Sequence, residues 1–432
     1  MLMGVVDTFM VSHVSDQAVA GLGGANQIVV LFLVVFSFFS IGASVVITHH
    51  LGAKDPVGAE AIARTALGVN TWLGLVVSLL VWTFAEPMLR AMQLSDALLY
   101  YALPFLHLMG GTLFLESMNF SLSAVLRSHM HTRAVMVVTV AQNLLNVAGN
   151  CILLFGLFGA PQMGVVGVAL STVFSRFVAC AALWFLVKHH THLTMGWRDF
   201  LLIDLGRLRR ILRIGLPAAG ENISWWLAFM FLSAFTARMG DVALATQTYT
   251  MQLALVVMLS SIAIGLATEI LVGHLIGAGR LEDAYAECLR SLRIGLAVSG
   301  AMSVSFALLA PYLFRLFTHD AHIIELGTTL VRIGMVLELG RVFNLIVINS
   351  LRASGDVRFP VLAGLLSQWG IMAFGGWLLG TYLEWGLVGV WIAFTVDEWL
   401  RGLAMLHRWK KRRWVKYAHR VRAASQPPSL VV

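Results

Sequence analysis

Leu126–Arg133 reads LRSHMHTR, and Leu351–Arg358, 225 residues later, reads LRASGDVR. Asn119 and Asn344 stand in the same register. HLGA from His50 has a counterpart in HLIGA from His274, and Ala59 and Ala284 follow at the same offset of 225. GVVGVALSTVFSR from Gly164 returns as GLVGVWIAFTVDE from Gly386, at an offset of 222. Several independent matches at nearly one offset identify a duplicated chain.

What is duplicated is apolar. Of 432 residues, 59% are hydrophobic and only 12% charged, and the mean hydropathy is +0.82. That is too little charge to cover a soluble protein of this length. A span needs roughly 20 apolar residues, so the chain accommodates about twelve. The spans are expected at about 1–13, 20–50, 57–84, 96–127, 131–157, 163–188, 214–238, 242–276, 281–316, 322–352, 357–381 and 386–408. The fold class is therefore an all-α polytopic membrane protein of two six-helix lobes. The expected parts are an N-terminal lobe 1–190, a cytoplasmic linker 191–213, a C-terminal lobe 214–408 and a basic cytoplasmic tail 409–432 whose end is disordered. Six is even, so both halves enter the membrane from the same side, as a parallel repeat. Asp7 aligns near Phe231, while the seventh span opens at Leu212–Pro217. The first helix thus reads as truncated, with its leader upstream of Met1.

Charge orients the chain. The net charge is +8. Lys54, Arg127, Arg133, Lys188, Arg207, Arg213, Arg280, Arg352 and Arg358 follow even-numbered spans, and Arg408, Lys410, Lys411, Arg412, Arg413 and Lys416 lie at the end. Loops after odd-numbered spans hold few beyond Arg90 and Arg238. The positive-inside rule places linker and tail in the cytoplasm. Basicity of this kind marks topology rather than a nucleic-acid partner. Cys151, Cys180 and Cys288 are scattered and odd in number, so no disulfide framework follows. The histidines His49–His50, His129/His131 and His189–His190/His192 sit at span ends without a carboxylate or thiol at ligand spacing, and no metal site is expected. No nucleotide-binding glycine loop, G-x-S-x-G or zinc helix motif occurs, so the chain is not expected to be an enzyme.

A charge at a helix centre costs roughly 2.5–3.5 kcal/mol on insertion scales, so charges inside spans are functional candidates unless paired. Glu338 and Arg341 are spaced i,i+3, Asp397 and Arg401 i,i+4, and Glu398 and Arg401 i,i+3, so each pair can neutralise locally. Asp397, Glu398 and Arg401 read as structural. Asp7, Glu116, Glu221 and Glu269 have no helical partner. A lone desolvated carboxylate favours its protonated form, which is the property a proton-coupled carrier needs. Asp7 and Glu221 are the leading candidates; Glu269 reads as solvated near the cytoplasmic end. Asn143, Asn146 and Asn150 lie at i, i+3, i+7 and share one helix face, which either lines a cavity or bonds a neighbouring helix.

These residues carry a family resemblance. VDTFMVSHVSDQAVAGLG from Val6, NLLNVAGNCILLFGLFGAPQMGVVGVALST from Asn143, GLPAAGE from Gly215, LVGHLIGAGRLEDA from Leu271 and LRASGDVRFP from Leu351 together resemble the bacterial multidrug and toxic compound extrusion (MATE) transporters. The resemblance implies two six-helix lobes facing a central cavity and exchange of Na⁺ or H⁺ for organic, often cationic, compounds. It puts Asp7 on the family's first-helix aspartate and Asn146 on the fifth-helix asparagine that works with it. At Asn150 several members carry a second aspartate. Glu221 lies about one turn before an acid of another branch. Arg341 stands about where the Na⁺-coupled branch has a tenth-helix aspartate, and its charge favours H⁺ over Na⁺. The expected coupling group is Asp7, Glu221, Asn146 and Asn150. Asn143, Glu116, Trp225, Glu338 and Arg341 are expected at a substrate cavity. The expected chain is an inner-membrane monomer acting without a cofactor on small organic substrates among membrane lipids. The alternative is a flippase of the same broad superfamily moving a lipid-linked substrate.

Overall fold

The computed structural model describes residues 15–191 and 204–426, together with Asp7, Met10, Val11, Leu193, Gly196 and Asp199. Among them there is no strand. The helices are α1 (Asp16–Gly52), α2 (Pro56–Ala91), α3 (Asp96–Gly111), α4 (Leu113–Ser128), α5 (Thr132–Phe155), α6 (Gly164–Thr191), α7 (Leu205–Arg238), α8 (Asp241–Gly277), α9 (Leu281–Arg315), α10 (Ala321–Ala353), α11 (Arg358–Ser367), α12 (Phe374–Trp377), α13 (Gly386–Lys410) and α14 (Val415–Ser425). Asp7, Met10 and Val11 are also helical; most of the expected first span lies outside the described residues, as does the end of the tail.

Among the described residues, seven segments are long and apolar enough to cross a membrane: Gln17–Gly52, Pro56–Ala91, Thr132–Phe155, Gly164–Thr191, Asp241–Gly277, Leu281–Arg315 and Arg358–Tyr382. The pair α3 and α4 passes as one span bent by 45°. The other long helices, α7, α10 and α13, are those that bury Glu221, Glu338, Arg341, Asp397, Glu398 and Arg401. Their charges make them less apolar without stopping them from being helices of span length.

Two compact units divide the chain: Met1–Ile47 with Val57–Gly215, and Thr48–Pro56 with Leu216–Val432. Within the expected linker 191–213, α7 is already helical from Leu205. Asp204 starts it by accepting hydrogen bonds from the backbone N–H groups of Gly206 (2.8 Å) and Arg207 (3.1 Å), which would otherwise be unpaired at a helix N-terminus.

In unit 1, the expected span 96–127 breaks at Thr112. The N–H of Phe114, which an unbroken helix would direct to Gly110, donates instead to Ser78 Oγ at 2.9 Å, and the Thr112 hydroxyl bonds back to Leu108 O at 2.7 Å. Its repeat counterpart α10 runs unbroken for 33 residues. In unit 2, the duplicated HLGA and HLIGA segments pack on each other. A Cβ at Gly52 would collide with the carbonyl of His274, and one at Gly277 with that of His49. Only glycine permits so close a backbone crossing. The span read at 357–381 is interrupted by two π-helical stretches, Gln368–Ala373 and Leu378–Tyr382.

Candidate functional site

In unit 1, α5 and α6 bring polar groups to Asp7. The carboxylate is 6% exposed. Asn150 Nδ2 donates to its Oδ1 at 2.6 Å. Thr172 Oγ1 lies 3.4 Å from its Oδ2 and 2.9 Å from Val168 O, and the one hydroxyl proton serves either acceptor. Asn146 Nδ2 donates to Thr172 Oγ1 at 2.9 Å, and the Asn146 backbone carbonyl accepts from Ser171 Oγ at 2.8 Å. The side-chain oxygens of Asn146 and Asn150 are buried and meet no donor among the described residues. Among those residues no Lys, Arg or His forms an ion pair with Asp7. Asp7, Asn146 and Asn150 are thus together. Asn143 is not with them: its amide bonds back to Thr139 O on its own helix at 2.7 Å. Thr172 was missed. A threonine in an apolar helix ordinarily satisfies itself on the preceding turn, as this one does; only its position within GVVGVALST was a signal.

Glu116 is not a lone acid. Its Oε2 lies 3.4 Å from Arg176 Nε on α6 and accepts from Asn119 Nδ2 at 3.4 Å. Asn119 also donates to Arg176 O at 3.3 Å. Glu269 is buried, not solvated.

Glu221 belongs to a separate, charged network in unit 2. Arg352 Nη2 donates to its Oε2 at 2.7 Å, and Arg401 Nη1 lies 3.9 Å from its Oε1. Arg401 also meets Asp397 at 3.0 Å and Glu398 at 3.2 Å. Arg341 joins Glu338 at 2.5 Å and Glu398 at 3.5 Å, and Asn344 Nδ2 donates to Glu398 Oε2 at 2.9 Å. Ser367 Oγ bonds Asp397. Four carboxylates and three guanidiniums are buried in one chain of contacts. The expectation that Glu221 is a lone acid is corrected: it is neutralised by arginines from α10 and α13. The three local pairs read from spacing are present, and contacts between helices link all of them into one network. Glu338 also borders a small cavity of about 20 Å³ with Ser303 and Trp391, and its Oε2 has no hydrogen-bond partner among the described residues. Trp225 stacks on Phe229 at 5.3 Å and packs against a buried apolar cluster with Phe394 and Trp391, which is a core role.

One relation follows from the repeat. Glu116 and Arg341 are equivalent at the offset 225, and Arg176 and Glu398 at the offset 222. Each half therefore has an ion pair at the same place, beside an equivalent asparagine, with the charges exchanged. At the same offset of 222, Thr172 corresponds to Phe394. The polar contact that Thr172 makes with Asp7 has no counterpart at that position in the second half.

The histidines are engaged locally. His49 Nε2 lies 2.6 Å from Ala353 O, His131 stacks on His190 at 4.3 Å, and His50 Nδ1 does have a carboxylate, Asp55 Oδ2, at 2.9 Å. No three His, Cys, Asp or Glu side chains converge as metal ligands among the described residues.

The MatE family model matches residues 1–152 and 217–378. The chain is 40% identical over 416 residues to the uncharacterized transporter YisQ of Bacillus subtilis, covering 96% of this chain and 91% of that one. It is 26% identical over 427 residues to a probable multidrug resistance protein, NorM, of Thermotoga maritima, covering 97% and 90%. The crystal structure of a MATE protein in the bent conformation superposes with a TM-score of 0.87 at 20% identity, over 98% of this chain and 92% of that one. At that identity the likeness establishes the fold alone.

Proposed function

This chain belongs to the MatE family, a family of multi-pass multidrug efflux transporters rather than enzymes, and from that premise we propose that it exports organic, mostly cationic compounds by antiport against H⁺. The observation that carries the coupling is the surroundings of Asp7. Among the described residues its contacts are amides and a hydroxyl, each able to donate or accept. With Asp7 ionised, Asn150 presents its N–H. With Asp7 protonated, the new O–H needs an acceptor, and a flipped amide offers its side-chain oxygen. The cluster thus offers Asp7 a partner in both protonation states, whereas a salt bridge would hold one state only.

Arg341 supports H⁺ over Na⁺. Held between Glu338 and Glu398, it keeps a guanidinium where a second cation would otherwise sit. The flippase reading would need free cationic groups inside the spans to hold an anionic lipid-linked substrate. The buried arginines Arg176, Arg341, Arg352 and Arg401 are all joined to carboxylates, which favours export of cations. The distribution of Lys and Arg supports linker and tail in the cytoplasm, and a multi-pass helical transporter fits the bacterial inner membrane.

Everted vesicles provide the test. An imposed pH gradient is expected to drive uptake of a cationic dye, an Na⁺ gradient to do so weakly, and Asp7→Asn to abolish the effect. Gradient-independent uptake by a correctly inserted protein would falsify the coupling.

A further inference from the structure

The basic tail does more than mark topology. Span helix α13 ends at Lys410, and α14 begins at Val415. At this junction Trp409, in the last turn of α13, and Trp414 stack face to face, 4.2 Å apart and 8° from parallel, and both are buried with Ala418. Two arginines are consumed in anchoring this turn. Arg408 Nε and Nη2 bond both oxygens of Asp356, at 2.5 and 3.1 Å. Arg412, at a left-handed φ of 56°, bonds both oxygens of Glu282, and its guanidinium lies 4.7 Å over the Tyr285 ring. Of the remaining cations, Lys410, Lys411, Arg413, Lys416 and Arg420 are exposed. None forms an ion pair among the described residues.

Topology alone needs positive charge near a span end, and a flexible tail supplies it equally well. Here the charges are carried on a docked turn and helix, at the level where a span leaves the hydrocarbon. Attraction to an anionic leaflet fades within a Debye length, about 10 Å at 0.1 M salt. It multiplies affinity by roughly fivefold for each Lys or Arg near the surface. A fixed platform keeps all five cations at the span end, where that attraction acts.

We propose that Lys410, Lys411, Arg413, Lys416 and Arg420 form a docking surface for anionic phospholipid headgroups, which holds α14 against the leaflet at the end of α13. The test uses full-length protein in nanodiscs of phosphatidylcholine, with and without phosphatidylglycerol, and reads amide hydrogen exchange over residues 410–422. Exchange is expected to slow several-fold with phosphatidylglycerol and to recover at high salt. The variant K410Q/K411Q/R413Q/K416Q/R420Q, which leaves Arg408 and Arg412 in place, is expected to exchange alike in both discs. The pair K416Q/R420Q, with two exposed side chains changed, should give a partial effect and guards against misfolding of the larger variant. Equal exchange of the natural protein in the two discs overturns the proposal. So does slowing by inorganic phosphate alone, which would mean capture of a free anion rather than a bilayer, and so does full retention of the effect in the five-site variant.

Discussion

At the scale of single side chains, Asp7 is the residue on which we propose that coupling turns, and its partners can be separated from it. Asn150→Leu removes the donor at 2.6 Å. A hydrogen bond to a charged group is worth about 1.5–3 kcal/mol, so gradient-driven dye uptake is expected to fall by about tenfold or more. The protein should remain monodisperse in detergent. Thr172 offers a finer comparison. Thr172→Ser keeps the hydroxyl and is expected to retain most uptake, while Thr172→Val keeps the shape and loses it; equal activities would show that the hydroxyl takes no part. Asp7 and Asn146 were legible in the sequence, because a carboxylate and an amide inside apolar spans are conspicuous. Thr172 was not, because its second contact depends on where the residues around Asp7 pack. Glu221 misled for the same reason: Arg352, its closest partner, is 131 positions away.

At the scale of elements, α13 places Asp397, Glu398 and Arg401 on adjoining turns, and α10 and α7 supply what lies across from them. Arg401→Ala would leave buried carboxylates uncompensated. Removing one partner from a buried pair costs about 3–5 kcal/mol, so a clear fall in thermal stability in detergent is expected; an unchanged melting temperature would show that the network is not under electrostatic load. The start of α7 depends on pH. Asp204 is held below the ordinary carboxylate range, chiefly by the backbone N–H of Arg207. The folded value is depressed, so its contribution is present above the unfolded carboxylate pKa of about 3.9 and fades as pH falls through the folded value. Asp204→Ala is therefore expected to lower the melting temperature at neutral pH and to match the natural protein in acid. The bend between α3 and α4 was not legible: the sequence there reads as one apolar run, and the break depends on Ser78, from another helix, capturing the N–H of Phe114.

At the scale of the whole molecule, the two halves share an ion pair of opposite polarity, Glu116–Arg176 and Arg341–Glu398. The halves have diverged so that their exchange should be possible in one of them and not in the other. In unit 1, E116R alone sets two guanidiniums together and is expected to destabilise, and adding R176E should restore the melting temperature. In unit 2, R341E with E398R should fail, because Glu338 and Arg401 already face those positions. Recovery in both halves, or in neither, would show that the surroundings do not select the polarity. The twelve-span, two-lobe, all-helical fold and its duplication were determined by the sequence alone. A bilayer penalises every polar residue one at a time, so hydropathy along the chain records the spans, and a repeat is a property of the chain itself. Which buried charges stand alone was decided only by tertiary structure. Pairing needs two groups at hydrogen-bond distance, a condition set by how helices far apart in the sequence pack, and it left Asp7 among neutral partners while joining Glu221 to two arginines.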